Sequence, residues 1–512
     1  MEYTSQSFLS FCVIVLLACS SVEGQGNSSY PDLSIKRSDF AQDFVFGVAT
    51  AAAQIEGSSK GGGKGISVWD EFQEIPGKIF DHSNMKTSID SYNRYMEDVT
   101  LLKDLGVDAY RFSIPWTRIL PQGTLSGGVN KEGIDHYNSL IDQLLKNGIR
   151  PFVTLLHNDW PQTLQDNYGG FLDRRIVADF KDYCELCFKT YGDRVKNWIT
   201  INEPLMIAKF GHDMGFAPPG RCSIRINCPA GNSSIEPYIV THNLLLAHGA
   251  VARLYKEKFQ AQQGGEIGIV LAGQHYVPYN PISLEDKRAT YRLMDFELGW
   301  YMEPLVYGRY PISMRTLVKD RLPTFTEEEK KMVQGSADFI GINYYTTRYV
   351  KSIPINLNAS PVGFAEDEFG EVLVFKDGAP IGPNAGGSMF VYIYPQGLEQ
   401  LLLFMKYKYQ NPKIYISENG VTEQRNDTIA IVQAVKDQHR IDFVAEHLTR
   451  VRNAIAQGVN IKGYFYWCLF DDFEWVEGYL VRFGLYYVDY KNNLTRIPKE
   501  SAKWYHDFIK GT

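Results

Sequence analysis

The sequence lacks an excess of charge of either sign. Its 512 residues include 52 Lys and Arg against 59 Asp and Glu, a formal net charge of −7, and no block of like charge stands out. A nucleic-acid partner normally needs a strongly basic surface. The charge balance therefore argues against such a partner and favours a neutral or weakly charged small-molecule ligand.

Long apolar runs are also scarce. One apolar run spans residues 8–18 and is followed by small residues, which is typical of a secretory signal peptide, although Glu2 lies in a region that usually carries Lys or Arg. We expect a signal peptide over residues 1–24 and a mature chain over 25–512. Beyond Ala18 no run of about 18 apolar residues follows, so neither a transmembrane anchor nor a membrane partner is expected.

A secretory route gives meaning to the N-glycosylation sequons. Their asparagines are plausible acceptors only if the chain enters that route and they lie on the surface. The five candidates are Asn27, Asn232, Asn358, Asn426 and Asn493. Asn358 is the weakest because Pro361 follows its sequon. These features together predict a protein of the secretory pathway, located in the vacuole or in the extracellular space and cell wall.

Cysteine is sparse, with seven residues in the chain. Cys184 and Cys187 lie in a segment with helical periodicity and have no second Cys or His pair nearby, so buried thiols are expected there rather than a metal site. Cys222 and Cys228 bracket the short polar loop in RCSIRINC. In an oxidising compartment they are the best candidates for a disulfide.

No linker, repeat or low-complexity run interrupts residues 44–509, so a single domain is the economical interpretation. Apolar, β-rich segments alternate with stretches of helical periodicity, which predicts the α/β class and one parallel (β/α)8 TIM barrel. The strand segments are FVFGVATAA, AYRFSI, RPFVTLL, NWITI, EIGIVLA, DFIGINYY, KIYIS and IKGYFYW. A bare barrel needs about 250 residues. Long βα loops are therefore expected, with inserts at 119–135, 215–240, 275–330 and 352–390.

Polar side chains gather where these strand segments stop. In a parallel barrel the strand ends converge on one bowl, so Glu203 and Glu418 would face each other there although they lie about 215 positions apart. The residues at strand ends are Gln54, Glu56, Arg111, His157, Asp159, Asn202, Glu203, Tyr345, Glu418 and Trp467. A single histidine or tryptophan is more often a packing residue. Their joint placement is what predicts a site.

Two carboxylates across a polar pocket suit the cleavage of a glycosidic bond. One carboxyl must stay protonated to give a proton to the leaving oxygen, and the other must be ionised to attack or to activate water. Arg111 and the Tyr345 phenol are expected to lower the pKa of Glu418, whereas Glu203 has no cation nearby in sequence. We therefore predict Glu418 as nucleophile and Glu203 as acid/base, which requires no metal and no organic cofactor.

The chain resembles the plant β-glucosidases of glycoside hydrolase family 1 over essentially its whole mature length. The motifs that carry this resemblance are FVFGVATAAAQIEG, YRFSI, TINEP, GINYYT, YISENG and DDFEWVEGY. The resemblance implies a retaining mechanism, with a glucosyl-enzyme intermediate on Glu418 and with Glu203 as acid and then base. The substrate-binding residues that it implies, with Arg111 in support, are Gln54, His157, Asn202, Tyr345, Trp467, Glu474, Trp475 and Phe483.

Departures from the family pattern fall around the same pocket. Asn158 follows the pocket histidine in HNDWP, where an aromatic residue is usual, and Phe390 stands where plant relatives often carry a Trp that contacts the aglycone. The other departures are Ala53, Pro115, Cys468 and Asp472. Because both glutamates are intact, the chemistry should survive. The changes bear on the aglycone pocket and on the preferred acceptor.

The leading hypothesis is a retaining β-glucosidase that hydrolyses O-β-glucosides of small phenolic or terpenoid aglycones. A transglucosidase that moves glucose to an acceptor hydroxyl is the alternative, and a catalytically weak sugar-binding barrel is a minor one. The aromatic content of 13% suits sugar faces and aromatic aglycones. We expect a bell-shaped pH profile with an optimum between about pH 5 and 6.5. A monomer and a homodimer both stay open.

Overall fold

A computed structural model describes residues 34–58 and 61–512; the predicted signal peptide at 1–24, the start of the mature chain and Asn27 lie outside them. In the described residues, eight parallel strands close into a barrel. They are β1 (Val45–Ala49), β2 (Ala109–Ser113), β3 (Arg150–Leu156), β4 (Asn197–Asn202), β5 (Glu266–Ala272), β6 (Phe339–Asn343), β7 (Ile414–Asn419) and β8 (Ile461–Trp467). Each strand pairs with its neighbours in chain order, and β8 pairs with β1. The predicted (β/α)8 barrel is confirmed.

Helices cover the outside of this barrel. The longer ones are Ser91–Leu105, Lys131–Lys146, Arg175–Tyr191, Glu236–Lys258, Leu284–Met294, Pro395–Lys408, Gln438–Ala456 and Glu500–Lys510. The shorter α-helices are Ala52–Ile55, Val68–Phe72, Trp116–Ile119, Gln162–Tyr168, Gln260–Gln263, Trp300–Tyr307, Ile312–Leu317, Glu327–Val333, Phe364–Asp367 and Ile431–Ala434. The first long helix ends at Gly106, whose left-handed φ of 76° lets its N–H reach the Leu102 carbonyl.

Tight turns and small sheets fill the connections. The π-helical turns are Met206–Phe210 and Asp295–Gly299. The 3-10 turns are Arg37–Asp39, Leu125–Gly127, Gly170–Leu172, Lys319–Arg321 and Trp475–Glu477. The strands outside the barrel are His275–Pro278, Thr347–Ser352, Gly370–Leu373, Phe375–Lys376, Ala379–Pro380, Glu423–Gln424, Val481–Arg482, Tyr486–Asp489 and Thr495–Pro498.

The barrel interior is filled by aromatic rings beside glycines. Phe152 lies 4.8 Å from Phe465 and 5.4 Å from Tyr415, measured between ring centroids. A Cβ added to Gly47 would lie 2.5 Å from the Phe465 ring. A Cβ on Gly268 would approach the Phe339 ring equally closely, at 2.6 Å. The glycines in the strand segments therefore provide space for the rings that close the bottom of the bowl.

The long loops lie at the carboxyl ends of the strands, as predicted. The insert at 215–240 contains a disulfide between Cys222 and Cys228, the pair expected from the sequence. Cys184 and Cys187 are buried free thiols on the helix Arg175–Tyr191, also as expected. The described residues contain no group of three or more His, Cys, Asp or Glu arranged to hold a metal ion.

The described residues carry surface features that a secreted chain is expected to have. The side chains of four sequon asparagines are exposed: Asn232, Asn358, Asn426 and Asn493. Within residues 34–58 and 61–512, none of the helices has the length and apolar character needed to cross a membrane.

The contact between Gly47 and Phe465 generates a stability prediction. Because the new methyl group would meet the Phe465 ring at 2.5 Å and the Ala109 carbonyl at 2.7 Å, Gly47→Ala is expected to destabilise the fold by about 1–3 kcal/mol. Phe465→Leu gives the methyl group space. The double variant Gly47→Ala/Phe465→Leu should therefore lose less stability than the sum of the losses of the two single variants. Additive losses in urea unfolding would contradict this packing.

Candidate active site

Glu418 occupies the carboxyl end of β7, a strand in which every residue is buried. Its Oε1 accepts a hydrogen bond from Arg111 Nη1 at 2.5 Å, and its Oε2 accepts one from Tyr345 Oη at 2.7 Å. The carboxyl group is thus held at both oxygens from two other strand ends. This explains why a charged residue ends a buried strand, because its charge is paired and points into the bowl.

Two irregularities in strand register aim polar side chains into this bowl. The pairing of β7 with β6 shifts between Ile416 and Glu418, and that of β4 with β5 shifts between Ile199 and Asn202. Such bulges break the two-residue alternation of side chains and can turn a chosen side chain to the other face. They occur where Glu418 and Asn202 leave their strands.

Glu203 follows β4 in an unusual backbone conformation. Its φ is +44°, in the left-handed region, which costs a non-glycine residue on the order of 1–3 kcal/mol. Its N–H bonds the Val270 carbonyl of β5 at 2.9 Å, and its Oε1 accepts from Asn343 Nδ2 of β6, also at 2.9 Å. Neighbouring strands therefore hold both the backbone and the carboxyl group of Glu203.

Arg111 is the centre of a buried polar network. Besides Glu418, its guanidinium donates to Asn202 Oδ1 at 2.7 Å and to the Ser417 carbonyl at 3.1 Å. Asn202 in turn lies 3.0 Å from His157 Nε2 through its Nδ2 atom. Side chains from four neighbouring parts of the barrel are thereby joined: Arg111 within β2, and residues at or just after the ends of β3, β4 and β7. The orientation of Asn202 is fixed by these partners, which leaves its amide little freedom.

The floor of the bowl carries aromatic rings and unpaired polar atoms. His157 is roughly parallel to Trp467 and Trp475, with centroids at 5.9 and 6.0 Å. Gln54 donates to Glu474 Oε2 and to the Phe473 carbonyl, both at 3.0 Å. Gln54 Oε1 and His157 Nδ1 are buried and have no hydrogen-bond partner. These two atoms are available to a polar ligand in the bowl.

The remaining predicted pocket residues lie farther out. Phe483 packs edge-on against Tyr345, with ring centroids 5.8 Å apart. Asn158 has a left-handed φ of 63°, and its Oδ1 atom is buried without a partner. Phe390 is 44% exposed on the 352–390 loop. Burial raises the pKa of Glu477, two residues from Trp475, to about 7, and Ser388 and the Met389 backbone oppose this rise, so the loop lies beside the Trp475 turn.

Residues 36–512 match the family described as glycosyl hydrolase family 1. The chain belongs to this family. It is 52% identical over 478 residues to β-glucosidase 24 of Oryza sativa subsp. japonica, covering 93% of this chain and 94% of the relative. It is 51% identical over 475 residues to the furostanol glycoside 26-O-β-glucosidase of Hellenia speciosa, covering 93% and 84%.

Solved structures agree with this assignment. The crystal structure of the rice Os3BGlu6 β-glucosidase superposes with a TM-score of 0.90 at 46% identity, covering 93% of this chain and 99% of that one. A mutant of the rice enzyme is known in a covalent complex with glucose, with the same TM-score at 45% identity and the same coverage. The predicted enzyme class, a retaining β-glucosidase of this family, is confirmed.

The two glutamates of this family 1 enzyme differ in electrostatic environment. Low-polarity surroundings, and secondly the charge of Glu418, raise the pKa of Glu203 to about 8. Burial also raises the pKa of Glu418, although Arg111 and Tyr345 oppose that rise. The expectation that these two partners bring the pKa of Glu418 below its usual value is therefore wrong in its net direction. Arg111 nevertheless makes Glu418 the carboxylate with a cationic partner.

Two further ionisable groups of the bowl, His157 and Glu474, favour their neutral forms. Burial, and then Arg111, lower the pKa of His157 well below its usual value, so its ring is neutral. Burial, followed by the charge of Asp472, raises the pKa of Glu474 well above the ordinary range. The pocket is consequently suited to a neutral polar ligand such as a sugar.

Sequence reasoning missed two polar residues of the enzyme. Asn343 Nδ2 contacts both Glu203 and Asn202, and Ser417 Oγ donates to Asn343 Oδ1 at 2.7 Å. Asn343 ends β6 in GINYY, so its position at a strand end was an available signal. Ser417 gave no such signal because a small polar residue inside a strand is common.

The raised pKa of Glu203 predicts a pH-dependent stability. The folded protein holds the Glu203 proton more tightly than the unfolded chain, because the pKa of Glu203 rises from 4.5 to about 8 on folding. The stability contributed by this proton is therefore complete below pH 4.5 and is lost as the pH rises toward 8. Glu203→Gln removes this loss, so the variant should be more stable than the wild type by on the order of 2 kcal/mol at pH 7.5 and by little at pH 4.5, because pocket water offsets part of the effect.

Melting temperatures of both proteins across this pH range measure the difference. The exposed Glu371→Gln is the matched control and should track the wild type at every pH. A gap between Glu203→Gln and wild type that does not change with pH would contradict the environment assigned to Glu203.

Proposed function

We propose that this enzyme hydrolyses O-β-glucosides of small phenolic or terpenoid aglycones, with Glu418 as nucleophile and Glu203 as acid/base. The observation that carries the proposal is the asymmetry between the carboxyl groups. Glu418 is paired with a buried guanidinium and a phenol, whereas Glu203 accepts a hydrogen bond from the neutral amide of Asn343. A nucleophile must be ionised and a general acid must be protonated at the same pH.

In the first step, Glu203 gives its proton to the glycosidic oxygen while a Glu418 oxygen attacks the anomeric carbon. The bond to the aglycone breaks, the aglycone leaves as an alcohol or phenol, and a glucosyl ester forms on Glu418. The raised pKa of Glu203 supports this role, since the acid retains its proton at neutral pH.

In the second step, water replaces the aglycone. Glucosylation removes the charge of Glu418, which is one of the two causes of the raised pKa of Glu203. Glu203 then becomes a stronger acid, so its ionised form can take a proton from water as the water attacks the anomeric carbon. Glucose leaves with its β configuration retained, and both carboxyl groups return to their starting states.

The sugar hydroxyls would be recognised by the polar atoms that lack partners. Gln54 Oε1 and His157 Nδ1 are buried and free, and Glu474 is held beside Gln54. Trp467 gives an apolar face under the sugar ring, with Trp475 beside it. Asn202, held by Arg111, is the proposed contact of the 2-hydroxyl, where hydrogen bonds strengthen in the transition state.

The aglycone would lie toward the outer loops. Phe390 and Met389 expose apolar side chains on the loop that reaches the Trp475 turn. A relative at 51% identity is a furostanol glycoside 26-O-β-glucosidase, which supports an apolar aglycone. The apolar run at 8–18 and the exposed sequons support a location in the vacuole or the cell wall.

A transglucosidase is the second candidate, and Asn158 is the observation that favours it. Its buried Oδ1 has no partner and could accept a hydrogen bond from an alcohol in place of water. The first step is unchanged, and the acceptor hydroxyl then attacks the glucosyl ester. Product analysis with a panel of alcohols distinguishes the two, because free glucose as the sole product supports hydrolysis.

Glu418→Gln is expected to abolish turnover, by at least about a thousandfold, because an amide cannot attack the anomeric carbon. Binding of glucose should remain. In the wild type, a 2-deoxy-2-fluoro-glucoside with a good leaving group should label Glu418, which peptide mass spectrometry would identify. Labelling of another residue, or a tenth of wild-type activity in the pure variant, would contradict the nucleophile assignment.

The pH profile tests Glu203. Activity on a poorly activated glucoside should fall as pH rises through the pKa of Glu203, so the basic limb should lie above the optimum of about pH 5 to 6.5 expected from sequence. Glu203→Gln should lose this limb for a dinitrophenyl glucoside, which needs little protonation, and azide should restore its second step. A basic limb unchanged from wild type would assign that limb to another group.

A further inference from the structure

A buried ionic cluster lies outside the sugar pocket. We call Lys209, Glu297, Glu368 and Tyr276 the Lys209 cluster. The Lys209 ammonium bonds Glu297 Oε1 and lies 3.7 Å from Glu368 Oε1, and the Tyr276 hydroxyl donates to Glu297 Oε2. The side chains of Lys209, Glu297 and Glu368 are 13%, 8% and 3% exposed. Charges this deeply buried destabilise a fold unless they are paired.

The Lys209 cluster joins the loops that follow three neighbouring strands. Lys209 lies in the π-helical turn Met206–Phe210 after β4. Glu297 lies in the second π-helical turn, Asp295–Gly299, after β5. Glu368 caps the short helix Phe364–Asp367 after β6. π-helical turns are rare and often mark functional sites. Here the two π-helical turns carry Lys209 and Glu297, which bond each other directly.

The same strands hold Glu203. Its carboxyl accepts from Asn343 at the end of β6, and its N–H bonds β5. The Met206 N–H bonds the Glu203 carbonyl at 2.9 Å, so one hydrogen-bonded segment runs from Glu203 into the turn that carries Lys209. The ion pairs of the Lys209 cluster thus tie the segment that follows Glu203 to the loops of the two strands that orient it.

The cluster contains one cation for two carboxyl groups. Three other charged groups face it: Asp213 from the loop after β4, Arg292 from the helix Leu284–Met294 after β5, and Arg348 from the loop after β6. Asp213 accepts from the Phe364 and Ala365 amides. Burial is the main cause that raises the pKa of Glu368, to about 8, which indicates a protonated acid at neutral pH. At neutral pH the Lys209 cation then lies between the Glu297 carboxyl group and a neutral Glu368.

We propose that Lys209 is a positioning residue for the general acid: its ion pair with Glu297 fixes the segment that follows Glu203 against the loops of β5 and β6. The inference rests on the proposed role of Glu203. The Lys209 ammonium pairs with Glu297 and Glu368 rather than with Glu203 or Glu418, so its action on the acid is indirect. Loss of the cation removes the ammonium that joins Glu297 and Glu368, so the turn after Glu203 is no longer tied to the loops of β5 and β6, and Glu203 is displaced from Asn343.

Leaving-group dependence separates this role from general stabilisation. A displaced acid slows substrates whose aglycone needs a proton, and it leaves activated substrates almost unchanged. We therefore compare phenyl β-glucoside with 2,4-dinitrophenyl β-glucoside. For Lys209→Met at pH 7, we expect kcat/KM to fall at least about tenfold on the phenyl glucoside and less than about threefold on the dinitrophenyl glucoside.

The pH dependence of activity in the single and double variants gives a second, independent test. Lys209→Met should recover phenyl glucoside activity relative to wild type as pH falls from 7 to 5, because protonation neutralises the carboxyl group that has lost its ammonium partner. Lys209→Met/Glu297→Gln has no unpaired carboxylate to neutralise, so it should lie within about threefold of wild type at both pH values. The double variant also keeps the test informative if the single variant fails to fold.

Lys413→Met is the matched control. Lys413 is ion-paired with Glu266 at 2.6 Å at the opposite end of the barrel, and its loss should alter neither substrate ratio. Equal losses on both substrates for Lys209→Met, or no rescue in the double variant, would overturn the inference. Glu203→Gln distinguishes a failure of the Lys209 inference from a failure of the proposed role of Glu203. If Glu203→Gln also slows both substrates equally, Glu203 is not the general acid.

Discussion

The buried guanidinium of Arg111 is the constraint on which the site depends. It is fully buried, and a buried cation must be paired and hydrogen-bonded in its own plane. Its bonds reach Glu418, Asn202, the Ser417 carbonyl and, at 3.3 Å, Thr154 Oγ1. One planar fork thereby fixes the Glu418 carboxyl group and the Asn202 amide, and it links β2 to β3, β4 and β7. Lysine offers no equivalent set of directed donors.

On the opposite side of the bowl, the conformation and environment of Glu203 lower the stability of the fold. Glu203 has a left-handed backbone conformation and a carboxyl group whose ionisation is opposed by its surroundings. Both features cost free energy in the folded state, and the raised pKa suits the proposed role of Glu203 as an acid that holds a proton at neutral pH. The packed barrel supplies the stability that this arrangement requires, through rings that fit against glycines on the inner strands.

The carboxyl groups and the exposed apolar side chains of the pocket lie on different parts of the fold. The strand ends carry the carboxyl groups, and the inserts carry the exposed apolar side chains near the entrance. Changes in the inserts can therefore alter the aglycone without disturbing the bond-breaking groups. The loops are not independent of the chemistry, however, because the Lys209 cluster connects the loops after β4, β5 and β6, and its β4 turn is hydrogen-bonded to Glu203.

The sequence by itself determined the barrel and most of the site, because alternating apolar runs and helical periods are local, and polar residues at strand ends must converge in a parallel barrel. It did not reveal Asn343 as the partner of Glu203, the register shifts at Glu418 and Asn202, or the net rise of the pKa of Glu418. Those depend on barrel closure and on burial. Only the tertiary structure decides them, because they are properties of contacts between segments far apart in the chain.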